Sequence, residues 1–150
     1  MLAAVGDTTY NVFTLLHILS AMVAFAPAFV APFVGNRLVE LPATERSAVW
    51  SYFQSNSRRV HGPALIVTGI LGFGLSGMSE GIYALSKGWL IASIVIWIAM
   101  NGVLHAILYP AERALAGGDD SAKPRLDRFG AVMALLLLVM LYLMVFKPGQ

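Results

Sequence analysis

Four long stretches of the chain carry no charged side chain, and this pattern predicts the fold. They cover residues 8–36, 60–79, 88–111 and 129–146, and they contain 29, 20, 24 and 18 residues. An α-helix rises 1.5 Å per residue, so about 20 residues cross a hydrocarbon core ~30 Å thick. Because the backbone finds no water partner inside lipid, each crossing is expected to be a helix. The sequence therefore predicts an all-α integral membrane four-helix bundle. The predicted spans are about 10–34, 60–79, 89–110 and 129–146.

The polar stretches between these spans are short, so residues 1–150 are interpreted as a single transmembrane domain. The stretch of about 44–59 carries Val49, Trp50 and Phe53 at helical spacing, which predicts one apolar face. This amphipathic helix is expected either to lie on the membrane or to run directly into the second span.

Lysine and arginine are distributed unequally between the two sides of the predicted bundle. Eight lie in the two longer connections and two lie on the opposite side. Loops rich in these residues stay in the cytoplasm, so both chain termini are predicted to lie on the outer, non-cytoplasmic side of an inner (plasma) membrane. The eight are Arg37, Arg46, Arg58, Arg59, Arg113, Lys123, Arg125 and Arg128, and the two are Lys87 and Lys147.

Composition excludes several other classes of protein. Hydrophobic residues make up 58% and charged residues 12% of the chain, about half the charge content of a soluble domain. A net charge of +2 would suit nucleic acid, but the basic residues flank apolar segments, so the lipid bilayer is the predicted partner and nucleic acid is not. A homo-oligomer and a larger membrane complex both remain open. The chain has no cysteine, which excludes disulfides and cysteine-ligated metal sites.

Small and polar residues mark the helix faces that are expected to be buried, since helices in lipid associate through close contact. In the second span, Gly62, Gly69 and Ser76 recur every seven residues. We call this set the glycine seam. The third span carries a polar stripe, for which a proton path ending at Glu112 is one interpretation. The stripe consists of Asn101, His105, Tyr109 and Glu112.

The three histidines of the chain, His17, His61 and His105, fall within or at the edge of separate spans. Ionisable residues inside a membrane indicate function by default, although a neutral imidazole can simply bond across helices. Axial ligation of haem b requires nitrogen ligands at one depth. By helical rise, His61 and His105 both lie in the cytoplasmic half. They are the predicted inner pair, with Arg58 and Arg59 placed for the propionates.

His17 lies nearer the outer surface, about 10 Å below it. At that depth it is closer to Met140, so a His–Met pair is the weaker alternative for a metal. A catalytic zinc site needs three convergent ligands, which these depths do not favour. Copper bound through histidine and methionine stays open, without a tight motif.

The chain also resembles the four-helix membrane proteins grouped around the HemJ-type protoporphyrinogen oxidases, the CopD-like copper-resistance proteins and related uncharacterised membrane proteins. The similar segments are LHIL around His17, RRVHGPALIVTGILG, GWLIASIV, GVLHAI around His105, and MVFKPG. This resemblance implies haem association and, for the oxidase branch, oxidation of a porphyrinogen. The oxidases have a histidine and a lysine just after the Trp-Leu step, where this chain has Ile91 and Ser93.

Three functions follow as hypotheses from the sequence. The first is a membrane redox protein that binds haem. The second is a non-catalytic subunit or scaffold of a larger membrane complex. The third is a small permease, with copper as one candidate substrate.

Overall fold

The computed structural model describes residues 5–150, and within that range the secondary structure is helical, with no strand. Four helices are each long and apolar enough to cross a membrane, which confirms the predicted all-α fold with four such helices. They are α1 (Thr8–Leu38), α2 (Ala43–Met78), α3 (Gly88–Ala116) and α4 (Asp120–Phe146). Short connections join the helices, so successive helices run in opposite directions.

Two of the helices contain a π-helical turn. In α2 the turn covers Ser57–His61, and in α3 it covers Leu104–Leu108. The amphipathic segment is the first part of α2, an α-helix over Ala43–Asn56, and it continues through the π turn into Gly62–Met78. It therefore extends the second span instead of lying apart from it.

The two ends of the bundle differ in charge. At one end, which we call the terminal end, the Lys147 ammonium donates to the Tyr83 hydroxyl at 3.0 Å and ties the C-terminus to the α2–α3 turn. At the opposite end, which we call the charged end, Arg46 and Asp120 form an ion pair of 2.6 Å between the starts of α2 and α4. The α2 helix has 36 residues, which corresponds to roughly 54 Å. Because that exceeds the ~30 Å hydrocarbon core, we expect α2 to project beyond the lipid at the charged end.

Packing divides the core into three clusters along the bundle axis. The central cluster contains Phe25, Leu65, Met100, Leu108, Met133 and Leu137. The charged-end cluster contains Leu38, Trp50, Ala111, Leu115 and Ala122. The third, at the terminal end, contains Trp89, Leu90 and Leu143. Large apolar side chains such as Met22, Phe33 and Leu138 stay exposed, as expected for helices that face acyl chains.

The glycine seam lets neighbouring helices approach α2 closely. At Gly62 the space that a β-carbon would fill holds the Tyr109 hydroxyl, and at Gly69 it holds the Trp97 indole. The indole N–H donates to the Leu65 carbonyl at 2.8 Å. On the α1 side, the His17 ring packs against Gly72, 3.2 Å from where a β-carbon would lie. The seam thus receives side chains from α3, and the neighbouring Gly72 receives one from α1.

Candidate functional site

A cavity of about 440 Å³ lies between the four helices, in the half of the bundle towards the charged end. We call it the central cavity. Small residues on two of the helices leave its space unfilled. They are Ala24, Ala28 and Ala31 on α1, and Gly130, Ala131 and Ala134 on α4. Larger apolar residues from the central cluster, including Leu65, Leu108 and Met133, close its inner wall. The volume falls in the range of pockets that hold small organic ligands.

The principal polar group of the cavity wall is Glu112, which is only 8% exposed. The Ser57 hydroxyl donates to Glu112 Oε1 at 2.9 Å, and the Tyr109 hydroxyl donates to the Ser57 carbonyl at 2.7 Å. No donor among residues 5–150 reaches Glu112 Oε2. One carboxylate oxygen is therefore satisfied by the protein and the other is buried without a partner.

Asp127 is the second carboxylate of the cavity lining. Unlike Glu112, it is neutralised, because the Lys123 ammonium contacts both of its oxygens at 2.5 and 2.6 Å. The pair is spaced i, i+4 on α4, where opposite charges are neighbours on the helix surface. Asp127 therefore has a positively charged partner, whereas Glu112 has no ion-pair partner among residues 5–150.

His61 also lines the cavity, and its ring orientation is fixed by α1. Nδ1 lies 2.7 Å from the Val23 carbonyl oxygen. Since a carbonyl only accepts, Nδ1 carries a proton, and in the neutral form of the ring Nε2 keeps its lone pair. Histidines that ligate metals commonly show this pattern, with one ring nitrogen bonded to a carbonyl and the other available.

His17 forms the reciprocal bond between the same two helices. Its Nδ1 donates to the Thr68 carbonyl at 2.8 Å, and the Thr68 hydroxyl donates to the Ser20 hydroxyl at 2.9 Å. A histidine from each helix therefore forms a hydrogen bond across the α1–α2 interface. This is the cross-helix bonding that the sequence leaves open as the alternative to ligation.

His105 lies elsewhere. It is exposed, its ring centroid is 5.0 Å from that of Tyr109, and it does not line the central cavity. Arg58 and Arg59 are likewise exposed and outside the cavity lining. Of the residues predicted for haem, only His61 reaches the cavity, so a haem held between His61 and His105 stays a prediction.

The two residues of the weaker metal hypothesis, His17 and Met140, make different contacts. Met140 packs against the central cluster on α4, whereas His17 is bonded to α2. Within residues 5–150, no three His, Asp or Glu side chains come close enough together to hold a metal ion. The His17–Met140 pair stays a prediction.

Sequence reasoning missed the cavity and the Ser57–Glu112 contact. Glu112 stood out as the last member of the polar stripe, but nothing in the sequence distinguishes Ser57 from other serines at a helix surface. The bond pairs residues 55 positions apart, and such pairing depends on how α2 and α3 are rotated.

Comparison with family models, with curated proteins and with solved structures finds no match for this chain. The resemblance to the HemJ-type and CopD-like proteins therefore stays a prediction from the sequence.

Proposed function

We propose that this protein is a multi-pass plasma-membrane protein that binds a small lipid-soluble molecule in the central cavity. The observation that carries the proposal is the cavity itself, which is lined by all four helices and combines apolar walls with a few polar groups. Small-molecule sites have this composition, with the polar groups fixing the orientation of the ligand.

The small residues of α1 and α4 suggest how a ligand enters. Contacts between these two helices are sparse compared with those between α1 and α2. A lipid-soluble molecule would therefore reach the cavity sideways from the bilayer, between Ala28 and Ala131. This route suits a carrier or permease as well as a binding protein.

In the proposed orientation, the charged end faces the cytoplasm and both termini face the outside. The distribution of basic residues supports this, since Arg58, Arg59 and Arg128 are exposed on the charged half of the bundle. Exposed basic residues near the cytoplasmic boundary follow the positive-inside rule. Association with itself or with a larger membrane complex stays a prediction.

Photolabelling tests whether the cavity binds a ligand. A photoactivatable adamantane diazirine, added to the protein in lipid nanodiscs, is expected to label Met133 and Leu108, which line the cavity but are 7% and 8% exposed. The label is located by peptide mass spectrometry. Ala28→Phe fills the cavity and should suppress this labelling, because Ala28 lies in its wall.

The matched control is Val30→Phe, which adds similar bulk to an exposed position of the same helix. It should leave labelling of Met133 unchanged. If only lipid-facing residues such as Leu135 and Leu138 react in the wild-type protein, the cavity does not admit small molecules and the proposal fails.

Haem b is the second candidate ligand, and the geometry of His61 favours it. In the neutral form of the ring Nε2 keeps a lone pair, and the ring lines the cavity, so His61 is the residue that would hold the iron. Haem would supply one-electron chemistry there.

An absorption spectrum separates this candidate from other ligands. If haem binds in the cavity, the purified protein shows a Soret band, which His61→Ala abolishes and His105→Ala retains. Loss of the band in His105→Ala with retention in His61→Ala would instead place haem at the exposed side of α3. A colourless preparation that stays colourless after haem is added excludes both.

A further inference from the structure

Glu112 is a buried acid whose charge is not balanced by the protein. Its side chain is more than nine-tenths buried, and Ser57 supplies a neutral donor to only one of its oxygens. A hydroxyl donor lowers the cost of burying a carboxylate but does not neutralise it. The other oxygen has no donor among residues 5–150.

The basic residues on neighbouring helices do not supply the missing charge. Lys123 is bonded to both oxygens of Asp127. Arg58, Arg59 and Arg113 are exposed, and none of them lines the cavity. No lysine or arginine lines the central cavity, so an ionised Glu112 carboxylate meets no permanent positive charge there.

The opposite end of the cavity is apolar. Leu65 and Met133 of the central cluster form that part of the wall, and Ala24 and Phe25 extend it along α1. A ligand that fills the whole cavity therefore meets a carboxylate at one end and hydrocarbon at the other.

Building on the proposed binding function, we propose that the central cavity selects small lipophilic cations, in particular protonated amines with a compact apolar body. The ammonium group lies beside Glu112 and supplies the counter-charge that the helices lack. The apolar body lies against Leu65 and Met133. The lone pair of His61 Nε2 offers a second acceptor on the same wall.

Anions and uncharged molecules are disfavoured for the same reason. An anion would place like charges together in a site of low dielectric constant, where their repulsion is only weakly screened. An uncharged molecule would fill the space and leave the Glu112 carboxylate unpaired, which costs free energy.

Two probes of nearly identical shape test this selectivity directly. N,N-dimethylbenzylammonium carries one N–H and a positive charge, and isobutylbenzene is its uncharged carbon isostere. Binding of each radiolabelled probe to the protein in nanodiscs is measured by equilibrium dialysis, with empty nanodiscs correcting for partition into lipid. The wild-type protein should bind the ammonium at least tenfold more tightly than the hydrocarbon.

Glu112→Gln removes the charge while it preserves the shape of the side chain. We expect it to weaken ammonium binding about tenfold or more, because it breaks a buried charge pair. Isobutylbenzene binding should be unchanged or tighter, because the hydrocarbon no longer leaves a carboxylate unpaired. Glu80→Gln is the matched control, since Glu80 is an exposed acid at the terminal end, and it should change neither affinity.

The outcomes separate the two proposals. Equal affinity of the wild-type protein for both probes overturns cation selectivity and leaves the cavity as a ligand site. Unchanged ammonium binding in Glu112→Gln also overturns it. Binding of neither probe, together with failure of the diazirine to label Met133, overturns the cavity function as well.

Discussion

Replacing Gly69 with alanine is expected to destabilise the bundle by about 3 kcal/mol. The added methyl group would overlap the indole of Trp97, which packs directly on Gly69. That indole has little freedom to move. Its N–H donates to the Leu65 carbonyl at 2.8 Å, and its ring meets Phe73 edge to face with centroids 6.0 Å apart. Reversible unfolding of the protein in mixed micelles of dodecylmaltoside and SDS measures the loss.

Gly77→Ala is the control for this substitution. Gly77 lies on the same helix, but within residues 5–150 no atom other than its chain neighbours and its own helix backbone lies within 4 Å of a β-carbon built there. Alanine is expected to be neutral or to stabilise α2 by about 0.5–1 kcal/mol, since glycine is a poor helix former. If both variants lost the same stability, the contact with Trp97 would not explain the effect of Gly69→Ala, because that contact is made at Gly69 and not at Gly77.

The glycine seam is the part of the packing that the sequence predicted best. A spacing of seven residues keeps side chains on one face of a helix, and small residues in lipid mark close contacts. Gly62 and Gly69 do receive side chains from α3. The sequence did not reveal which side chains these are, because Tyr109 and Trp97 are distant in the chain and their approach depends on tertiary packing.

The four helices were also predictable from the sequence. A stretch without charged residues that is long enough to cross lipid strongly favours a membrane-spanning helix. The structure extends all four helices beyond the predicted spans at the charged end. Residues such as Leu115 and Trp50 pack there. Charged residues interleave with this apolar face, so a pattern that relies on charge-free stretches ends each span too early.

The positions of the histidines were harder to predict, and the π turns explain part of the difference. The polar stripe on α3 assumes the α-helical period of 3.6 residues throughout. The π turn at Leu104–Leu108 interrupts that period. After this change of pitch Glu112 is buried, whereas His105 within the turn is exposed. A π turn has no reliable signature in a single sequence.

The Trp50→Ala substitution is expected to cost about 3–5 kcal/mol. Trp50 is 3% exposed and packs with Leu38 and Leu115 in the charged-end cluster, and its ring lies 5.8 Å from that of Phe53. Because we expect this end of α2 to project beyond the hydrocarbon core, the cavity left by the indole would be added to the full cost of exposing apolar surface to water. For a lipid-facing residue only the packing loss would apply.

Tyr52→Ala is the matched control, since it truncates an aromatic residue of the same helix that is 69% exposed. It should change stability by less than about 0.5 kcal/mol. Hydrogen exchange then locates the effect of Trp50→Ala. Faster exchange is expected in Ala43–Asn56 and Tyr109–Ala116, which pack on one another, and unchanged exchange around Leu65. Uniform loss of protection along all four helices would mean that the charged-end cluster and the central cavity form one cooperative unit. In that case a ligand in the cavity would also stabilise the projecting part of α2.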